Sequence, residues 1–163
     1  MNGRILVADD DPELRQILAL ILARDGYDVI EAENGEQALE RAWDSSPMLI
    51  LLDVMMPGVD GFDACRRLKN DRRTDSVPVI FISALNDVHS HEEALRLGAE
   101  GYLDKPIDPK DLSRRVRTAI QRRGINILFN SASPKAAERM EPQRPDDKVD
   151  PFWHAAARSR LAG

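Results

Sequence analysis

Apolar positions in this chain switch between a strand-like and a helix-like period, and the switch recurs five times. Ile5-Leu6-Val7-Ala8 is a short continuous apolar run, which predicts a buried strand. Asp11-Pro12 then supplies a cap and a first-turn proline for a helix with Leu14, Ile17, Leu18 and Ile21 on one face, closed by Gly26. Residues 27–32 read as a second strand, and Asn34 caps a second helix with Ala38, Leu39, Ala42 and Trp43 inward. The run Met48-Leu49-Ile50-Leu51-Leu52-Asp53 is a third strand closed by Pro57-Gly58 turn chemistry, and Asp60-Gly61 opens a helix reaching about Asn70. Residues 77–83 form a β-branched strand entered through Pro78, Asn86 caps a helix ending at Gly98, and residues 101–104 are a fifth short strand. Asp108-Pro109 starts the last helix, where Leu112, Val116, Ala119 and Ile120 recur at i, i+4, i+7 and i+8.

Such alternation, with right-handed crossovers, predicts an α/β fold: a doubly wound five-stranded parallel sheet with helices on both faces. A flavodoxin-like order, 2-1-3-4-5, brings the C-terminal ends of strands one, three, four and five around one crevice. Those ends carry Asp9 and Asp10, Asp53, Ser83 and Lys105. After Gly124 the pattern fails. Residues 125–129 are briefly apolar, as a short strand or an extra turn, and residues 130–151 contain Pro134, Pro142, Pro145 and Pro151 among charged and small residues, which suits a linker. Trp153, Ala157 and Leu161 then fall at i, i+4 and i+8 of a short terminal helix. The expected organisation is a domain over residues 1–123 and a C-terminal extension over 124–163.

Composition narrows the class. A chain of 163 residues with 42% hydrophobic content suits one domain and an appendage. The formal net charge of −5 argues against general affinity for nucleic acid. Cys65 is the only cysteine, so no internal disulfide forms, and its spacing from Phe62 and Leu68 places it in a helix core. The N-terminus leads directly into a strand too brief for a signal segment, and no apolar run approaches the ~18 residues of a membrane helix. The expectation is a soluble, cytoplasmic protein without a membrane partner.

Taken one at a time, the candidate residues have ordinary explanations: Asp53 as a loop acid or cap, Ser83 as a turn serine, Lys105 as a surface cation. Together they do not. Asp11 suits a helix cap, but Asp9 and Asp10 share a crevice with Asp53, and clustered carboxylates repel unless a cation or proton compensates them. Hard oxygen ligands with room for water suit Mg²⁺, which would keep the carboxylates ionised and stabilise a transferring phosphoryl group, leaving Asp53 as a nucleophile. Lys105 can pair with a carboxylate or a phosphoryl oxygen, and Ser83 offers a hydroxyl. His89 and His91, two apart on a helix, do not face each other and are read as solvated; His154 has no metal-ligand company. Arg114, Arg115, Arg117, Arg122 and Arg123 give the last helix a basic outer face, either solvated or for a partner.

Four segments also carry a family likeness: residues 5–12, Ile-Leu-Val-Ala-Asp-Asp-Asp-Pro; residues 51–61, from Leu51-Leu52-Asp53 through Pro57-Gly58 to Asp60-Gly61; Phe81-Ile82-Ser83-Ala84; and Gly101-Tyr102-Leu103-Asp104-Lys105-Pro106. They resemble the acidic-pair opening, the phosphoacceptor segment, the fourth-strand hydroxyl motif and the lysine-proline motif of receiver domains in two-component response regulators, of the chemotaxis type. The likeness covers about residues 3–123. It implies that Asp53 takes a phosphoryl group from a phosphohistidine on a sensor histidine kinase or a histidine phosphotransfer protein. It implies a Mg²⁺ site of Asp10, Asp53 and the Met55 backbone carbonyl, with Asp9 acting through water. It further implies that Lys105 pairs with the phosphoryl oxygens, that Ser83 swings in, and that Tyr102 changes rotamer; Tyr102 is otherwise a half-buried strand aromatic. The readout would be a population shift on the face of the fourth helix, fifth strand and fifth helix, toward a downstream protein or a second copy. The Lys105-Pro106 bond is expected to be cis by the same likeness.

A receiver of this kind is a phosphoacceptor rather than an enzyme. Met55 and Leu85, neither able to hydrogen-bond an attacking water, imply slow autodephosphorylation. One alternative is the receiver piece of a longer regulator; the extension is too short for a winged helix or cyclase output domain and shows no DNA-reading helix. An aspartyl-nucleophile Mg²⁺ phosphohydrolase of the haloacid-dehalogenase type would want a second Asp where Met55 stands. A flavodoxin-like cofactor binder would want a phosphate-cradling loop where Asp9-Asp10-Asp11 repels phosphate.

Overall fold

The computed structural model describes residues 3–132, with side chains through 125. Contacts divide the chain into two units, Met1–Gln121 and Arg122–Gly163. The first holds a strict alternation: β1 (Arg4–Ala8), α1 (Pro12–Arg24), β2 (Asp28–Ala32), α2 (Gly35–Ser45), β3 (Leu49–Asp53), α3 (Gly61–Lys69), β4 (Val79–Ser83), α4 (Val88–Arg96), β5 (Gly101–Asp104) and the start of α5 (Pro109–Ala132). All four strand pairings are parallel and the order is β2-β1-β3-β4-β5, the doubly wound flavodoxin-like order expected.

Strand alternation divides the core in two. Leu6, Ala8, Ile50, Leu52, Val79 and Phe81 face one way and pack with Ala38, Leu39, Ala42, Ala64, Cys65 and Leu68 of α2 and α3. Ile5, Val7, Leu49, Leu51, Ile80 and Ile82 face the other way and pack with Leu18 and Leu22 of α1 and Leu112, Val116 and Ala119 of α5. β3 and β4 are buried throughout, which is why they are apolar on consecutive positions rather than alternate ones. Each such Leu or Ile contributes ~1.5–3 kcal/mol relative to exposure.

Local chemistry starts the helices. Asp11, Asn34 and Asp60 cap α1, α2 and α3, accepting from amides in the first turn. Three expectations need correction. Ile17 is 54% exposed, because the buried stripe of α1 is centred on Leu18 and Leu22, with Leu14 and Ile21 at its flanks. The cap of α4 is Asp87, not Asn86: its extended backbone lets the carboxylate reach the amide of Ser90 at 2.9 Å. Residues 125–129 are neither a strand nor a separate turn, since α5 continues in helical form to Ala132. Gly124 costs an exposed helix only ~1 kcal/mol, too little to end one. The proline-bearing stretch, His154 and the terminal helix pattern lie outside the described residues. Among the described residues no helix is long and apolar enough to cross a membrane.

Candidate functional site

Parallel pairing sets the strand ends level. Ala8 lies beside Leu52, Asp53 beside Ile82, and Ser83 beside Asp104, so the residues at or just after these ends open onto one crevice. Asp9, Asp10 and Asp53 each bring a carboxylate oxygen within 4.8 Å of the others; Asp9 and Asp53 are buried and Asp10 is exposed. Lys105 reaches in from beyond β5, its Nζ 3.1 Å from Asp9 Oδ2 and 3.4 Å from Asp53 Oδ2. The sequence-expected acids and lysine therefore meet.

The carboxylates are held from the backbone side. Asp53 Oδ1 accepts from the Met55 amide at 3.3 Å, and Asp9 Oδ1 from the Asp11 amide at 2.9 Å. The Asp9 amide donates to the Ala32 carbonyl at 3.1 Å. Gly61 is required here: a Cβ at this position would lie 2.1 Å from the Asp53 carbonyl oxygen and 2.7 Å from Val54 Cα, so only glycine lets α3 start against the end of β3. The Lys105–Pro106 peptide is cis, as the likeness implied.

Burial and a like charge shape the electrostatics. Desolvation, and then the Asp9 carboxylate, push Asp53 up to about 7, against the opposing pull of Lys105 and the Met55 amide. Burial works against the Lys105 charge, yet Asp53 and Asp9 outweigh it and raise its pKa. A cation beyond Lys105 fits this site. Asp9 Oδ2 is buried and makes no hydrogen bond, although it lies in ion-pair range of Lys105. Three converging carboxylates with an unsatisfied oxygen are a donor set for a hard divalent ion.

On the other side of the crevice Ser83 is buried, its Oγ accepting from the Leu85 amide at 3.0 Å. The Tyr102 hydroxyl donates to the Leu85 carbonyl, so Ser83 and Tyr102 hold the two sides of one residue. Tyr102 is half-buried, with its ring 6.3 Å from that of Phe81 and 4.0 Å from that of His91. His91 is thus not simply solvated: its Nε2 lies 3.3 Å from Asp104 Oδ1 while its ring covers Tyr102. His89 lines a different hollow, with Asp60, Phe62 and Arg66. Sequence reasoning missed His91 and Asp104 as a pair, Gly61 as a contact, and Arg15, whose Nη1 donates to the Asp9 carbonyl at 2.7 Å. The sequence offered Gly61 as a helix start, Asp104 as part of a motif and His91 as a solvated side chain, and none of these signals spoke of the contact.

Residues 5–117 match the family model described as the response regulator receiver domain. The chain belongs to this family. Its relatives include the DNA-binding dual master transcriptional regulator RpaA of Synechocystis, 40% identical over 119 residues that make up 73% of this chain and 49% of that one. The phosphate regulon transcriptional regulatory protein PhoB of Pseudomonas aeruginosa is 38% identical over 120 residues, 74% of this chain and 52% of that one. Among solved structures, a response regulator receiver domain protein from Clostridium thermocellum superposes with a TM-score of 0.70 at 30% identity, covering 76% of this chain and 98% of that one. This receiver spans about half the length of the curated relatives it matches. One of them is named as DNA-binding, so the family lends no support to the expectation that nucleic acid plays no part.

Proposed function

We propose that this receiver is a phosphorylation-dependent switch of a two-component system, with Asp53 as phosphoacceptor. The observation that carries the reading is the buried Asp53 carboxylate meeting Asp9, Asp10 and the Lys105 ammonium at the converged ends of parallel strands. Asp9, Asp10, Asp53 and the Met55 backbone carbonyl would hold Mg²⁺. When bound, Mg²⁺ supplies positive charge that keeps the carboxylates ionised and offsets charge on the transferring phosphoryl group.

The chain's own residues do the rest. An Asp53 carboxylate oxygen attacks the phosphorus of a phosphohistidine on a sensor histidine kinase or phosphotransfer protein; the O–P bond forms, the N–P bond breaks, and the imidazole leaves with its electron pair. Lys105 exchanges Asp53 for a phosphoryl oxygen. Ser83 gives up the Leu85 amide and donates its hydroxyl to another phosphoryl oxygen. Tyr102, tied to Leu85 and covered by His91, moves with that exchange and changes the face of α4, β5 and α5. That face meets a downstream protein or a second copy, in the cytoplasm; residues 1–123 are assigned to the receiver and residues 124–163 to a C-terminal extension. The protein accepts and holds a phosphoryl group rather than turning over substrate. Met55 and Leu85 offer no group to orient a water, so decay of the acyl phosphate is slow. A decay time of seconds for the purified phosphoprotein in Mg²⁺ would contradict that.

The coverage of half the curated relatives favours a second reading, in which this chain is the receiver piece of a larger regulator. The coding sequence on either side distinguishes the two. The central reading is tested by incubating wild type and Asp53→Ala with a small phosphodonor and Mg²⁺ and measuring intact mass. One phosphoryl adduct on wild type and none on the variant is expected; an unmodified wild type refutes the reading.

A further inference from the structure

Arg15 sits in the first turn of α1, and its side chain is turned inward, only 15% exposed. Its Nη1 donates to the Asp9 backbone carbonyl at 2.7 Å, and its Nε donates to Glu31 on β2 at 3.1 Å. The Asp9 carbonyl lies in the peptide plane that joins Asp9 to Asp10. Fixing that oxygen fixes the plane, and with it the direction in which Asp10 leaves the strand end. The other anchors of Asp9 act elsewhere: its N–H donates to the Ala32 carbonyl, and its Oδ1 accepts from the Asp11 N–H, a turn that restrains the Asp9–Asp10 peptide but leaves the Asp9 carbonyl oxygen to Arg15. Repulsion among three carboxylates works against this arrangement, because tilting the peptide moves the exposed Asp10 away from buried Asp9 and Asp53.

We infer that Arg15 is a positioning residue for the phosphoryl-transfer site: braced by Glu31, it clamps the Asp9–Asp10 peptide and holds the acidic pair converged. This deepens the proposed function and rests on it. The guanidinium geometry matters, since one planar fork spans a carbonyl on one side and a carboxylate on the other. A lysine reaches one of them.

The test uses the full chain and three variants, Arg15→Ala, Arg15→Lys and Glu31→Gln. Mg²⁺ affinity is measured by titration calorimetry, thermal melting in EDTA monitors the fold, and phosphorylation by a small phosphodonor is followed across Mg²⁺ concentrations. Loss of a group that orients metal ligands from behind weakens affinity by ~10-fold or more. Arg15→Ala is expected to weaken Mg²⁺ binding by about that factor, Glu31→Gln by less, and Arg15→Lys to recover part of the loss. The Mg²⁺ concentration for half-maximal phosphorylation rises while the plateau rate stays near wild type. A staple that merely joined α1 to β2 would lower the melting temperature and leave both Mg²⁺ readouts unchanged; that result overturns the inference. If Arg15→Ala does not fold, Arg15→Lys and Glu31→Gln decide it in the same way. A wild type that neither binds Mg²⁺ nor takes a phosphoryl group overturns the functional reading itself. A normal wild type with unaffected variants overturns only the role of Arg15.

Discussion

Replacing Asp53 by Asn removes a charge that the fold tolerates poorly while keeping its shape. Asp53 is 2% exposed and lies beside buried Asp9, and together these raise its carboxyl from 3.8 to about 7. A carboxyl whose pKa rises on folding binds its proton more tightly in the folded state. Its contribution to stability is intact below 3.8 and is lost as the pH rises through about 7. At ~1.4 kcal/mol per tenfold change, the loss is roughly 2 kcal/mol at pH 5 and grows to roughly 4 kcal/mol at pH 8. An amide titrates in neither state, so Asp53→Asn escapes this loss and leaves Lys105 to Asp9 alone. Urea unfolding of both proteins in EDTA, at several values from pH 5 to pH 8, should show the variant gaining on wild type by roughly 2–3 kcal/mol across that range. Added Mg²⁺ narrows the gap at pH 8, because binding to the folded state compensates the wild-type carboxylates. A gap that stays constant or shrinks as the pH rises refutes the account of Asp53 as a buried, repelled carboxylate.

Three further outcomes follow from the packing around the site. Gly61→Ala drives a Cβ into the backbone of Asp53 and Val54 and should cost about 3 kcal/mol or more in urea unfolding, with phosphoacceptance lost; a cost within error of zero would contradict the contact. Ser83→Ala leaves the Leu85 amide without its partner and should cost ~1–3 kcal/mol; faster hydrogen exchange around Leu85 is the second readout, and protection equal to wild type would count against the bond. Burial pushes the Cys65 thiol up to about 11, so a thiol reagent at pH 8 should label the native protein only as slowly as it opens, but the urea-unfolded chain at once; immediate stoichiometric labelling of native protein would place the thiol outside the core.

Much of this protein is written in short-range patterns. Continuous apolar runs mark β3 and β4, a side chain two or three residues ahead of the amides it serves marks the starts of α1, α2 and α3, and a first-turn proline sharpens α1 and α5. Strand ends were legible for the same reason, and topology alone brings Asp9, Asp10, Asp53, Ser83 and Lys105 to one edge. Where local preference and packing diverge, the sequence was less informative. Ile17 and Leu18 are equally apolar, and only the angle at which α1 meets the sheet leaves one outside and buries the other. Asn86 and Asp87 are both good caps, and the backbone between β4 and α4 selects the second. Gly124 and the residues after it look like a helix end, yet α5 continues. What only the tertiary structure decided is contact across elements: Arg15 on the Asp9 carbonyl, Gly61 against Asp53, and His91 over Tyr102 and beside Asp104. Residue type and spacing along one element do not encode the distance to another. That distance is set by how the two faces of the sheet pack, and it turns a row of strand-end acids into one site with Lys105 compensating it and a braced peptide behind it.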